Sequence, residues 1–497
     1  MFFSLRNILT PTKGHKMKKF LTLLILFAVA LTAAELRLGI ISDTQPNNPT
    51  TKPGSPFYYM KKSFEKMKAQ GVDAVLLVGD LADNSLPHVY DGLRAIFDEV
   101  FGTTDPPLFL PIMGNHDYWI YQNKDKTVED PYAGKQETKT FREGVFMKHL
   151  KIDTINPSVV VKDISIIGCS MDKNPGLSPS PKNLEFLETE IQKAIARDPN
   201  KPVIVFAHNC ARNSLYSDIY HGGSQELTDV FKKYPQVIYF SGHTHTPLED
   251  ETSILQGDFT AVATSTMNYN YMGEGSPICY RGLEYPERHL PKNMLYVTID
   301  DTKAVIRRYQ LRDDSEILDP NGKPWTLPMP PTKENFVYTR ENKLKMYKRI
   351  EPTWPENATV TATVVPEGKP FTGIKIRGTA AQHPHFVWGY IVEIFRKEAD
   401  QWIQETETNY TRNGKDLIKT KDPVQIYGDH YLGLNFKKDF FEGTIKNIPA
   451  RHYFTGFDFK PSTTYRFDVI PFDNFGLKGQ PISCEVTTPA EKFTPAN

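Results

Sequence analysis

The chain has 497 residues, room for two to four domains of about 100–200 residues each, so a large core is available and folding needs no disulfide or metal staple. Charged residues at 24% and aromatics at 12% are ordinary globular usage and argue against global disorder. Lys plus Arg number 59 and Asp plus Glu number 59, a balance that argues against a protein whose main task is wrapping nucleic acid.

The first residues read as a processing signal. Met17-Lys18-Lys19 precedes an apolar stretch at 20–31, broken only by Thr22, and Thr32-Ala33-Ala34 follows before Glu35. A basic start, a short apolar core and small residues are the parts of a secretory signal peptide, with Met17 as the expected start and residues 1–16 as an upstream extension. The apolar core is shorter than the ~20 residues a membrane span needs. No later segment is long and apolar enough to cross, so the mature protein is expected to be secreted or periplasmic, with no transmembrane segment. Arg6, Lys13, Lys16, Lys18 and Lys19 all lie in this leader, which holds no acid; its removal leaves 54 basic against 59 acidic residues, a formal charge of −5. The four cysteines, Cys169, Cys210, Cys279 and Cys484, form neither a disulfide framework nor a zinc knuckle. Cys169 and Cys210 either pair or stay as buried thiols.

From residue 36 to about 311, short apolar runs alternate with helical patterns. Residues 36–42 read as a strand, 58–69 as a basic amphipathic helix, 74–78 as a strand, about 88–100 as a helix and 108–113 as a strand. Residues 118–145 are polar and turn-rich and read as a surface excursion. An apolar run at 159–169, a capped helix near 183–197 and strands at 203–207 and 237–241 follow. This alternation implies α/β architecture with largely buried sheets. Between 312 and 355, Pro320, Pro324, Pro328, Pro330, Pro331, Pro352 and Pro355 break the pattern, which reads as an extended linker or wrapping segment. Alternating stretches at 387–395 and 465–469 then indicate an all-β module. The expected division is a leader at 1–34, an α/β domain at 35–312, a Pro-rich segment at 313–352, a β-sandwich at 353–490 and a tail at 491–497.

Five short motifs stand at the ends of strand-like runs: Asp43-Thr44-Gln45, Gly79-Asp80-Leu81-Ala82-Asp83, Gly114-Asn115-His116-Asp117, His208, and Gly242-His243-Thr244-His245. Ligands of α/β sheets bind beyond the carboxyl ends of the strands, so the five should converge on one surface. Carboxylates, amide oxygens and imidazoles are donors for hard or borderline divalent metals, and the lack of thiolates disfavours structural zinc. Each motif alone is weak; five in this order, each behind a strand, are not.

This constellation resembles the calcineurin-like metallophosphoesterases over roughly residues 36–311. The resemblance implies a two-sheet α/β/β/α sandwich, followed here by a small all-β sandwich domain, and two divalent metal ions (Mn, Fe, Zn or similar). It implies one ion on Asp43, Gln45, Asp80 and His245, and another on Asp80, Asn115, His208 and His243, with Asp80 bridging. A water shared by the ions would be acidified and attack phosphorus in line. His116 would stabilise the phosphoryl charge and protonate the leaving alkoxide, with Asp83 orienting its ring. The family usually carries His at the position of Gln45; a neutral amide oxygen is a weaker, harder ligand than imidazole. Purple acid phosphatases carry Tyr where this chain has Asp83, which argues against that subclass.

Substrate contacts are less marked. Arg212 and Asn209 follow ligand His208, and Trp119 stands in an aromatic run after His116; Arg212 is a candidate phosphate clamp and Trp119 a stacking platform. In the C-terminal part, the run from Phe459 through Pro461 to Tyr465 and Val469 resembles the penultimate strand of a fibronectin type III domain, with Tyr465 as the corner tyrosine. This β-domain is a candidate for contacts with carbohydrate or protein. The leading reading is an exported dinuclear-metal phosphoesterase acting on small phosphomonoesters or phosphodiesters, nucleotides among them, with no nucleic-acid partner expected. The alternatives are a nuclease on polymeric nucleic acid, disfavoured by the absence of a dense Lys/Arg run near the motifs, and a non-catalytic cell-surface binding protein on a phosphoesterase fold.

Overall fold

In chain order the first part of the protein runs β1 (Leu36–Ile41), α1 (Pro56–Ala69), β2 (Ala74–Val78), α2 (Pro87–Phe101), β3 (Leu108–Ile112), α3 (Lys139–Leu150), β4 (Ser158–Val161), β5 (Ile164–Cys169), α4 (Pro181–Arg197), β6 (Val203–Ala207), α5 (Gln225–Phe231), β7 (Val237–Ser241), β8 (Ile254–Gln256), β9 (Thr260–Ala263), β10 (Asn293–Ile299), β11 (Lys303–Gln310), β12 (Ser315–Ile317), β13 (Trp325–Pro328) and α6 (Arg340–Met346). The computed structural model describes residues 35–119, 139–173, 177–215, 223–270, 292–347, 350–365, 372–383, 387, 389–405, 409–413, 416–420, 424–427, 440–446, 457, 459–473 and 477–490. The expected signal peptide and Cys279 lie outside the described residues.

The strands form two mixed sheets. One has seven strands in the order β12-β11-β10-β1-β2-β3, with β13 also on β11; the other has six in the order β4-β5-β6-β7-β9-β8. β1, β2 and β3 pair in parallel, as do β5, β6, β7 and β9. Residues 74–78 show why the strands read as continuous apolar runs. Leu76 and Val78 face a core shared with Ile166, Val205 and Phe240 of the other sheet, whereas Val75 and Leu77 pack under α1 and α2. Both faces of the strand are buried, which fits parallel sheets covered on each side.

Helix α1 shows the local logic. Ser55 caps it by accepting from the Tyr58 N–H, Pro56 opens it, and Phe57, Met60, Phe64 and Met67 form one buried stripe at helical spacing. Gly39 of β1 lets Met67 approach, since a Cβ there would lie 2.4 Å from the Met67 sulfur. Burying each such large apolar side chain contributes about 1.5–3 kcal/mol.

Three regions differ from the sequence-based expectation. The apolar run 159–169 is a hairpin, β4 to β5, because Lys162 (φ 48°) and Asp163 (φ 66°) make a tight turn within it. The polar stretch 118–145 contains the start of α3, anchored by Arg142, Phe146 and Leu150. The Pro-rich segment contributes β12 and β13 to the seven-stranded sheet, and α6 packs behind the 248–254 loop. There Glu251, fully buried, accepts from Arg308 Nη1 at 2.7 Å, Trp325 Nε1 at 2.7 Å and the Tyr347 hydroxyl at 2.8 Å. No disulfide joins Cys169 to Cys210; both thiols are buried.

Beyond residue 353 the described strands are all β. Residues 360–365, 373–379 and 440–446 form a three-stranded sheet, and 401–405, 389–398, 464–472 and 482–487 form the spine of a five-stranded one. Their common core holds Ile374, Ile376, Tyr390, Val392, Phe441 and Phe467. Trp388 lies outside the described residues.

Candidate metal centre

The parallel strands of both sheets end on one edge, and the five motifs leave from there. Asp43 and Gln45 follow β1, Asp80 follows β2, Asn115 and His116 follow β3, His208 follows β6, and His243 and His245 follow β7. Five of these residues sit in left-handed backbone conformation: Asp43 (φ 50°), Gln45 (φ 39°), Asp80 (φ 53°), His243 (φ 65°) and His245 (φ 52°). Such conformations cost about 1–3 kcal/mol each in a non-glycine residue and are characteristic of functional sites. Gly114 and Gly242 make room for the carboxylates: a Cβ would come within 2.2 Å of Asp80 Oδ1 and 2.3 Å of Asp43 Oδ2 respectively.

The side chains assemble into two groups that share one residue. Asp80, His208 and His243 bring ligand atoms within 4.8 Å of one another, as do Asp43, Asp80 and His245. Asp43, Asp80, His208 and His245 are all buried, with Gln45 and Asn115 beside them. His208 Nδ1 lies 2.9 Å from the Val78 carbonyl and His245 Nδ1 lies 2.6 Å from the Tyr269 carbonyl, so each Nδ1–H donates outward. Each Nε2 then points inward: His208 Nε2 at 3.2 Å from Asp80 Oδ2 and 3.1 Å from Asn115 Oδ1, His245 Nε2 at 3.0 Å from Asp43 Oδ1. An outward Nδ1–H bond of this kind fixes the tautomer of a metal-ligating imidazole.

Gln45 supplies the test of fit. It is 2% exposed, its Nε2 donates to Asp80 Oδ2 at 3.0 Å, and its Oε1 has no hydrogen-bond partner. A buried acceptor without a donor costs roughly 1–3 kcal/mol. Oxygen and imidazole donors gathered around two buried carboxylates, with one amide oxygen unmet, suit divalent cations. Electrostatics agree. Burial resists ionisation of Asp80, yet the facing His208, His116 and His243 rings hold its carboxyl well below the usual carboxylate range. Burial likewise resists charge on His208, but Asp80 and Asp43 raise its ring to about 10.

His116 stands at the rim of this cluster. Its backbone N–H donates to Asp80 Oδ1 at 2.8 Å, and its Nδ1 lies 3.0 Å from both the carbonyl and Oδ1 of Asp83, leaving Nε2 turned inward, 3.8 Å from Asp80 Oδ2. Against the effect of burial, Asp80 and Asp83 raise the His116 ring to about 9. Asp83 also accepts from Asn47 Nδ2 at 3.0 Å. Trp119, 45% exposed, lies over His116 with ring centroids 3.7 Å apart. Asn209 is buried, with Nδ2 donating to the Leu177 carbonyl at 2.8 Å and Oδ1 accepting from the Cys210 N–H, so its amide ties a loop to the strand end. Asn209 and the exposed Arg212 line a cavity of ≈ 540 Å³ together with Ser178 and Gln225.

One residue the sequence reading left without a role is Asp117. Its buried carboxylate accepts from the N–H groups of Gly114, Leu81 and Ala82 and from the Tyr90 hydroxyl, locking the second and third motif loops together. Burial, reinforced by Asp80, raises its carboxyl to about 7. The signal was present, since Asp117 closes the Gly-Asn-His-Asp motif.

The family described as calcineurin-like phosphoesterase matches residues 36–247. A 3',5'-cyclic-nucleotide phosphodiesterase of Nostoc sp. is 26% identical over 193 residues, which are 38% of this chain and 61% of that protein. Among solved structures, the anchor in the inner membrane complex of Plasmodium is 12% identical with a TM-score of 0.37, covering 63% of this chain and 93% of that one. A purple acid phosphatase from yellow lupin (Lupinus luteus) seeds is 15% identical with a TM-score of 0.35, covering 59% and 53%.

Proposed function

Residues 36–247 are a calcineurin-like phosphoesterase domain, and from that premise we propose that the protein hydrolyses small phosphoric esters, nucleotide phosphodiesters foremost, with two divalent ions. The observation that carries this is the pair of ligand groups joined at Asp80. Asp43, Gln45, Asp80 and His245 would hold one ion, and Asp80, Asn115, His208 and His243 the other. When bound, the ions supply Lewis-acid charge for the phosphoryl oxygens and acidify water.

The protein's own groups do the rest. The inward Nε2 of His116 carries a proton, which it donates to the departing ester oxygen, while Asp83 fixes the ring from Nδ1. Trp119 screens that ring on its outer side. Arg212 faces the neighbouring cavity as the candidate anchor for the remaining part of the substrate. The Nostoc relative, a cyclic-nucleotide phosphodiesterase by name, favours a diester. Turnover of bis-p-nitrophenyl phosphate and of 3',5'-cyclic nucleotides, set against p-nitrophenyl phosphate with Mn²⁺ present, tests this. Monoester turnover alone sinks the diester assignment, and no turnover of either sinks the enzyme.

The C-terminal module is assigned as fibronectin type III-like. Its support is the packing of a three-stranded on a five-stranded antiparallel sheet over a common core, and the Tyr465 hydroxyl, which accepts from the Lys460 N–H at 2.8 Å as a corner tyrosine does. Export is assigned from the leader alone, and N-terminal sequencing of the mature protein is its test: a chain that still begins at Met1 or Met17 overturns it.

A further inference from the structure

The two halves of the metal centre are supported differently. Residues 266–269 touch every ligand that belongs to the first position only. Thr266 Oγ1 and the Met267 N–H both donate to the Asp43 carbonyl, at 2.9 and 3.2 Å. Asn268 Nδ2 donates to the Gln45 carbonyl at 3.2 Å. The Tyr269 carbonyl accepts from His245 Nδ1, and the two rings lie 4.4 Å apart. Of the second position's ligands, His208 is tied to the Val78 carbonyl and Asn115 to the turn that begins at His116, while His243 reaches the segment only indirectly, through its N–H on the Asp43 carboxylate.

This short segment is itself held from behind. Lys292, 3% exposed, donates from Nζ to the Asn268 carbonyl. Its backbone is fixed just before β10: its N–H donates to Gln310 Oε1 at 3.0 Å and its carbonyl accepts from the Leu311 N–H at 2.7 Å. Burial, with Arg312 adding to it, pushes the Lys292 amine down to about 7. A desolvated amine is a costly group to place under a loop unless the loop must be held.

We propose that Lys292 is a positioning residue for the first metal position: through the Asn268 carbonyl it clamps the 266–269 segment, and that segment sets Asp43, Gln45 and His245. The inference rests on the dinuclear reading above. It makes the first position more dependent on Lys292 than the second, because the segment bonds directly to Asp43, Gln45 and His245 and leaves the β3 and β6 ends untouched.

The test is metal content and Mn²⁺ affinity of the full chain, with the spin-coupled Mn²⁺ pair signal as a second readout. Wild type is expected to hold two ions. Lys292→Met is expected to lose at least about tenfold in affinity at the first position, to keep one ion at the second, and to lose the pair signal. Lys292→Arg should recover part of the loss. Asn268→Ala, which removes only the bond to the Gln45 carbonyl, is expected to act in the same direction and serves if Lys292→Met does not fold. Variants that keep both ions with unchanged affinity overturn the inference, as does equal loss at both positions. A wild type that binds no ion overturns the dinuclear reading itself, which separates the two failures.

Discussion

Two clusters of buried carboxylates lie in the same domain and are neutralised by different means. At Glu251 the counter-charge is Arg308, whose guanidinium also stacks on Trp325 with 3.9 Å to the ring centroid, and the indole and the Tyr347 hydroxyl complete the acceptor's partners. At the strand ends, Asp43 and Asp80 face imidazoles instead, and Gln45 Oε1 faces no donor. An arginine does not give up its proton, so the first cluster is permanent. Imidazoles do, so the second can exchange protons for metal. The chemistry of the counter-charge, more than burial or carboxylate count, separates a structural cluster from a binding one.

Substitutions at the two clusters should therefore fail in different ways. Asp80→Ala is expected to lower turnover of bis-p-nitrophenyl phosphate on the order of 10³-fold or more and to lower metal content, with the fold retained. Activity that survives it would remove Asp80 from the centre. Glu251→Ala leaves Arg308 buried and unpaired and is expected to cost about 3–5 kcal/mol in urea unfolding while metal stoichiometry in the folded fraction stays at two. His116→Gln should lower kcat about 10²-fold or more with metal content unchanged, and hurt esters of poor leaving groups most. If all leaving groups suffer equally, His116 is not the proton donor.

Protein stripped with chelator adds a pH test. The His116 ring is held at about 9 when folded, above the ordinary value of 6.5, so the folded state binds that proton more tightly. The resulting stability is full below about pH 6.5 and is lost as pH rises through about 9. Urea midpoints should fall between pH 6 and pH 9.5; a rise would contradict the assignment. The smallest effect expected is that of Gln45→His, about tenfold tighter Mn²⁺ or Zn²⁺ binding at the first position. Unchanged stoichiometry and affinity there would strike Gln45 from the ligand set.

The residues that converge on the strand ends were legible in the sequence because each follows an apolar strand within one to four residues, and three of the motifs open with glycine. The support around them was not. Tyr269 and Val78 act through backbone carbonyls, which any residue offers, and Lys292 is an ordinary lysine until its burial is known. The partners of Glu251 lie 57, 74 and 96 residues away along the chain, beyond any local pattern. The prolines of 312–355 read as a linker because proline lacks an N–H. An edge strand tolerates that loss, and Pro328 ends β13 where it pairs with Lys303.

That last strand has a consequence for solubility. β11 is eight residues long and stands near the margin of its sheet, with β13 pairing at residues 303–306 and β12 at 308–310. Both covering strands are short, of three and four residues, and one carries a proline, which are the features that discourage a further chain from adding on. The Pro-rich segment is thus a guard against self-association. A chain ended at residue 312 would keep all seven candidate ligands and present β11 as an open template for stacking copies, so it should aggregate more readily than a chain ended after α6.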